Sequence, residues 1–82
     1  MAKHIKNYRK YFNIGDQDVL TCSWCNMAQA VDLHHIVYRS SKGTDEVANI
    51  IALCRSCHEK AHKRDISESD LLERQKQVMR IY

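Results

Sequence analysis

The chain has 82 residues, with 13 lysines and arginines against 10 aspartates and glutamates, so its net charge is +3. A core of this size is rarely stable through hydrophobic burial alone, so a disulfide or metal is expected to support it. No apolar run resembles a signal peptide or a membrane span, which predicts a cytoplasmic protein with no membrane partner and with reduced cysteines.

The N-terminal element, residues 1–14, mixes basic and aromatic side chains and predicts a short helix with Ile5, Tyr8 and Phe12 on one face. The favoured interpretation is that these apolar side chains pack on the domain while the lysines face water. The alternative is an arm that follows nucleic-acid phosphates. We interpret His4 as a surface histidine.

The cysteines form two CxxC pairs, Cys22 with Cys25 and Cys54 with Cys57. Two such pairs separated by a domain-scale gap predict one structural zinc bound by all four sulfurs. A Cys3His site with His58 in place of Cys57 is the weaker alternative, because it leaves a thiol unbound beside a metal that prefers thiolates. A thioredoxin-like redox role is weaker still, since no βαβ pattern surrounds either pair.

Two short apolar segments, residues 30–38 and 47–53, predict strands that pair, and residues 54–62 predict a helix. His58 and His62 are four residues apart and therefore share one face of that helix. Adjacent residues of a strand point to opposite faces, so His34 and His35 enter one site only if the strand ends or bulges there.

A final helix is predicted over about residues 67–81, with Ser67 as its N-cap. Its predicted buried positions are Leu71, Leu72, Val78, Met79 and Ile81. We expect a single domain, 1–82, with its core at about 20–64 between the N-terminal element and this helix.

Four histidines lie close to the cysteine pairs, and such clustering indicates metal binding or catalysis. The order CxxC, His34-His35-Ile36, Asn49, Leu53-Cys54-x2-Cys57-His58-x3-His62 resembles the HNH endonuclease family, over about half of the chain. It is similar to small bacterial and bacteriophage members with two CxxC pairs, and the gaps from His35 to Asn49, His58 and His62 also resemble those in nuclease colicins. The resemblance implies an α+β fold, the zinc-stapled ββα-metal finger with flanking helices.

By position, the resemblance implies that His35 is the general base and that His34, His58 and His62 bind a catalytic divalent ion. Asn49 would hold the loop and the imidazole of the base in place. Many family members have aspartate at the position of His34, so an all-histidine set favours Ni²⁺, Zn²⁺ or Mn²⁺ over Mg²⁺.

These expectations describe a DNA endonuclease that nicks double-stranded DNA in a bacterial cell or phage-infected host. A base near neutral pH and a divalent ion suit phosphodiester hydrolysis, and Arg39, Lys42 or Arg55 could contact flanking phosphates. Double-strand cleavage would need a homodimer or successive nicks. The alternatives are a noncatalytic zinc module that binds nucleic acid or protein, and the nuclease subunit of a phage packaging complex.

Overall fold

The computed structural model describes residues 2–15 and 17–81, without the side chain of Ile81. Met1, Asp16 and Tyr82 belong to the predicted domain but lie outside the described residues. In chain order the elements are α1 (Lys3–Phe12), β1 (Asp32–His35), β2 (Ile50–Leu53), α2 (Arg55–His62) and α3 (Glu68–Ile81), with 3₁₀ turns at Arg39–Ser41 and Val47–Asn49. No helix within the described ranges is both long and apolar enough to cross a bilayer.

Strands β1 and β2 form an antiparallel hairpin, and α2 follows β2 directly. The register pairs Asp32 with Leu53 and His35 with Ile50. All four residues of β2 are buried, since one side of the strand faces α2 and the start of α3 while the other faces α1 and the end of α3. The result is the predicted α+β arrangement, a ββα unit with helices on both sides.

Helix α1 packs its aromatic face on the hairpin, as predicted. Tyr8 and Phe12 are 3% and 5% exposed, and they join Ile50 and Ala52 in one apolar cluster. The helix ends at Asn13, whose left-handed backbone (φ 55°) lets its N–H return to the carbonyls of the last turn. Burial of Tyr8 and Phe12 in the core disfavours the phosphate-following arm.

Helix α3 covers the far side of the hairpin. The hydroxyl of Ser67 accepts a hydrogen bond from the Asp70 N–H at 3.1 Å, which is the predicted N-cap. Leu71 is buried, and Leu72, Val78 and Met79 are partly buried; the predicted contribution of Ile81 lies outside the described residues. Gln75 was not predicted among the core residues, yet it is fully buried and donates to the carbonyl of Val47 at 3.2 Å.

Two predicted strand boundaries were wrong. Val47–Asn49 is a 3₁₀ turn rather than the first half of β2. The other predicted strand, residues 30–38, is reduced to Asp32–His35, and Val31 is 59% exposed. The rings of His34 and His35 lie beside different helices, His34 next to His58 of α2 and His35 next to His4 of α1, as expected of adjacent residues in a strand. Both nevertheless line one cavity where β1 ends.

Candidate metal centres and active site

The four cysteines come together from two turns of the chain. Cys22 and Cys25 lie in the turn after α1, whereas Cys54 precedes α2 and Cys57 lies in its first turn. Their sulfurs all lie within 4.8 Å of one another, and the sulfurs of Cys25 and Cys54 are 3.9 Å apart. Four zinc–sulfur bonds of ~2.3 Å in a tetrahedron put sulfurs about 3.8 Å apart, so this group fits zinc. His58 belongs to a different group, which favours the four-cysteine site over the Cys3His alternative.

The pKa values of the Cys22 and Cys57 thiols are shifted in opposite directions. Burial alone would raise the pKa of Cys22, but hydrogen bonds from the backbone at Cys25, Cys54 and Trp24 outweigh burial and lower it to about 6. Burial and the neighbouring sulfurs raise the pKa of Cys57. The Cys22 thiol therefore loses its proton more readily than the Cys57 thiol, and binding a metal must displace the proton of Cys57.

The cysteine cluster is held from outside by α3. The guanidinium of Arg74 lies 4.8 Å from the ring centre of Trp24 and donates to the carbonyls of Ser23 and Trp24 at 3.1 and 2.8 Å. Trp24 itself packs against the core cluster that contains Cys22. Trp24 thus links α3 to the cysteine turn and to the core.

Three histidines form a second group on the other side of α2. One ring nitrogen from each of His34, His58 and His62 lies within 4.8 Å of the others. The Nε2 atoms of His58 and His62 are 3.0 Å apart, as their spacing of four residues predicts. His34 reaches them from β1, with ring centres 5.1 and 5.4 Å from those of His58 and His62. Three imidazole nitrogens in this arrangement suit Zn²⁺, Ni²⁺ and similar ions.

Two polar side chains fix the outer nitrogens of this group. Oδ2 of Asp32 lies 3.0 Å from Nδ1 of His58, and the Tyr38 hydroxyl lies 3.2 Å from Nδ1 of His62. A carboxylate at Nδ1 leaves the Nε2 lone pair of His58 directed at the other two rings. This is the usual support for a metal-binding imidazole.

His34 is the buried member of the group, at 6% exposure. Burial, followed by the positive charge of His58 and His62 when they are protonated, lowers the pKa of His34 to about 4. The ring is therefore neutral near pH 7 and able to offer a lone pair to a cation.

His35 belongs to a third group. Its Nε2 lies 2.9 Å from Oδ1 of Asp45, and Nε of Arg39 lies 3.9 Å from the same oxygen. The hydrogen bond from His35 lowers the pKa of Asp45, with a smaller contribution from Arg39. His4 from α1 packs its ring against His35, with centres 4.3 Å apart, so it is not the surface histidine that we expected.

Asn49 closes the loop between the two strands. Its amide donates to the carbonyls of Val37 and Thr44 at 3.0 and 2.9 Å, and its Oδ1 accepts from the Val37 N–H at 2.8 Å. The backbone carbonyl of Asn49 also accepts from the N–H of Ile36, next to His35. Asn49 thus fixes the backbone just after His35 and just before Asp45.

A cavity of about 270 Å³ joins the second and third groups. It is lined by Asp32, Leu33, His34, His35, Tyr38, His58 and His62. The three predicted phosphate contacts are all exposed: Arg39 and Lys42 lie in the loop that follows His35, and Arg55 begins α2. These three cations are therefore accessible to a ligand that carries negative charge.

Sequence reasoning missed Asp32, Tyr38, Asp45 and His4. The sequence could have predicted the position of Asp32, because residues two apart in a strand share a face and Asp32 precedes His34 by two. Asp45 and His4 had none, since their contacts with His35 depend on how α1 and the loop dock.

Three comparisons with known proteins were informative to different degrees. The family model described as HNH endonuclease matches residues 21–64, just over half of the chain. The protein named anaredoxin, from Nostoc sp. (strain PCC 7120), is 28% identical over 64 residues, which cover 78% of this chain and 82% of that protein. No solved structure matches the chain.

Proposed function

This chain belongs to the HNH endonuclease family, and we propose that it is a metal-dependent endonuclease that hydrolyses phosphodiester bonds of DNA. The proposal rests on one observation: the imidazoles of His34, His58 and His62 converge on the same cavity that His35 lines. A zinc module that only binds a partner has no need of this second group of donors.

In this proposal His34, His58 and His62 hold the catalytic divalent ion, and the four cysteines hold a structural Zn²⁺. The catalytic ion, when bound, supplies positive charge to the phosphate and to the leaving 3′-oxygen. The neutral state of His34 and the carboxylate behind His58 support the assignment of the histidines. Imidazole donors favour Ni²⁺, Zn²⁺ or Mn²⁺ over Mg²⁺.

His35 is the proposed general base, and the atom that accepts the proton of the attacking water is Nδ1. Asp45 is a carboxylate and accepts the hydrogen bond from Nε2–H of His35, so the neutral ring keeps its lone pair on Nδ1. Asn49 positions this pair through the loop backbone. A base whose orientation is fixed before the substrate arrives loses less entropy in the reaction.

DNA is the proposed substrate, and Arg39, Lys42 and Arg55 are the proposed phosphate contacts. Arg39 and Lys42 support this best, because the exposed loop that carries them leaves the strand at His35. One site of this kind breaks one strand, so the expected product of a single encounter is a nick.

Supercoiled plasmid tests the proposal. We expect relaxed circles with Mn²⁺, Ni²⁺ or Mg²⁺, none with EDTA, and a rate about 10²–10⁴-fold lower for His35→Ala. Gln77→Ala, on an exposed position of α3, is the matched control and should cleave like the wild type. Equal rates for His35→Ala and the wild type would refute the assignment of the base. DNA binding without cleavage in any metal would favour the noncatalytic zinc module.

A further inference from the structure

We propose that His4, His35 and Asp45 form a second divalent-cation site, distinct from the three-histidine group, and that an ion bound there switches off the general base. The ion would be of the Zn²⁺ class. The inhibitory effect rests on the proposed function, whereas the binding of the ion does not.

The donor atoms are already close together. One ligand atom from each of His4, His35 and Asp45 lies within 4.8 Å of the others. Nε2 of His35 and Oδ1 of Asp45 are 2.9 Å apart, close to the ~3.0 Å that separates neighbouring ligands of an octahedral ion with ~2.1 Å bonds. Two imidazoles and one carboxylate leave further coordination positions open to water, an arrangement used by borderline divalent ions.

The three donors come from different parts of the fold, and each part is held without a metal. Asn7 of α1 donates to the backbone carbonyl of Asp45 at 3.1 Å, which fixes the loop against the helix that carries His4. Burial of Tyr8 holds that helix on the hairpin. A site that is assembled beforehand binds an ion at little cost in conformational entropy.

The surroundings also admit a cation. The side chains of His35 and Asp45 are 17% and 18% exposed, so they are sheltered but reachable from solvent. Arg39 is the nearest described competing charge, at 3.9 Å from Asp45, but its side chain is 72% exposed and is free to move into water.

An ion on Nε2 changes the base because a neutral imidazole carries only one ring proton. Without the ion that proton is on Nε2, directed at Asp45, and the lone pair is on Nδ1. With the ion on Nε2, the proton must sit on Nδ1, which can then no longer accept a proton from water. The ring stays neutral in both states, so no net proton is gained or lost.

Counting exchangeable zinc tests the site directly, by equilibrium dialysis at fixed free Zn²⁺ followed by metal analysis. Above the zinc held by the cysteines, we expect two exchangeable ions per wild-type chain. His4→Phe keeps a ring against His35 but offers no nitrogen, and it should hold one. The variant with both His58→Ala and His62→Ala should also hold one, at the remaining site. A single exchangeable ion in the wild type, or two in His4→Phe, would overturn the proposal.

Activity provides the second readout. In plasmid cleavage supported by Mn²⁺, added Zn²⁺ should inhibit the wild type at a concentration at least about tenfold below that needed for His4→Phe, since the loss of a ligand weakens the site by at least that factor. Each variant is compared with its own rate without Zn²⁺. Equal inhibition of both proteins would refute the switch. Absence of cleavage by both proteins would refute the nuclease function and leave the zinc count to decide the site.

Discussion

Asp32→Ala is the sharpest test of how the three-histidine group is organised, because it removes the partner of His58 without touching a proposed ligand. Oδ2 of Asp32 lies 3.0 Å from Nδ1 of His58, where it favours a proton on that nitrogen. Without it the imidazole can rotate and can place its proton on Nε2, the nitrogen that faces His62. We therefore expect the exchangeable ion to bind more weakly, while the zinc at the cysteines stays.

The size of the effect follows from the geometry of this contact. A well-aligned contact between an imidazole N–H and a carboxylate contributes at most about 1.5–3 kcal/mol. The side chain of Asp32 is 53% exposed, so solvent screening places the contribution at the lower end of that range or slightly below it. About 1.4 kcal/mol corresponds to a tenfold loss in affinity. Partners of metal-binding imidazoles typically contribute tenfold to a hundredfold, which agrees.

Isothermal titration with Mn²⁺ measures the affinity, and Glu59→Ala is the matched control. Glu59 is exposed in α2, next to His58, and the substitution removes the same charge without contacting an imidazole nitrogen in the structure as described. We expect Asp32→Ala to bind about tenfold more weakly than Glu59→Ala. Equal affinities would mean that Asp32 acts only through its charge, and the proposed fixing of the ring would be refuted.

Three further predictions concern the stability of the fold. Cys25→Ser removes one of the four sulfurs, and we expect loss of bound zinc and a fall of more than about 10 °C in the thermal midpoint measured by circular dichroism; an unchanged midpoint would contradict the zinc site. The pKa of His34 is lowered from 6.5 to about 4, so the unfolded chain binds more protons in this range and the free energy of unfolding falls as the pH drops through it. The free energy of unfolding, measured by urea denaturation at pH 7 and pH 5, should fall less in His34→Leu than in the wild type. An equal fall in both proteins would exclude His34 as the source of the pH dependence. A Cβ on Gly43 would lie 1.8 Å from the carbonyl oxygen of Val37, whereas one on Gly15 would meet nothing closer than 3.4 Å. Gly43→Ala should therefore cost more than about 2 kcal/mol in urea denaturation and Gly15→Ala about 0.5 kcal/mol or less, and similar losses would contradict the loop packing.

The parts of the site that sequence predicted are those fixed by short-range spacing. Two residues between cysteines let both sulfurs reach one ion, and four residues between His58 and His62 put both rings on one helix face. The hairpin and the helix after it followed from β-branched segments and from the helical pattern that ends at His62.

The parts that sequence missed depend on contacts between distant segments. His4 and Asp45 meet His35 only because α1 docks beside the loop, and no local pattern encodes that docking. The apolar residues of Val47–Asn49 predict a strand. The segment is instead a 3₁₀ turn, in which the Asn49 side chain points inward and donates to the carbonyls of Val37 and Thr44. Gln75 was not predicted to be buried because a glutamine in a helix is usually exposed. Here its side-chain amide donates a hydrogen bond to the carbonyl of Val47.

Helix α2 carries Cys57 in its first turn and His58 immediately after it, so one short rigid segment serves both candidate metal centres. Oxidation of the sulfurs is therefore expected to displace the imidazoles by moving the helix backbone that both groups share, without modifying the imidazoles themselves. An oxidant such as peroxide converts thiolates to sulfenic acids and should release the structural ion. Helix α2 would then be less well held, and the proposed cleavage activity would be lost although every histidine is unmodified. Under the proposed function, oxidation of the cysteines alone would then stop cleavage without any dedicated inhibitor.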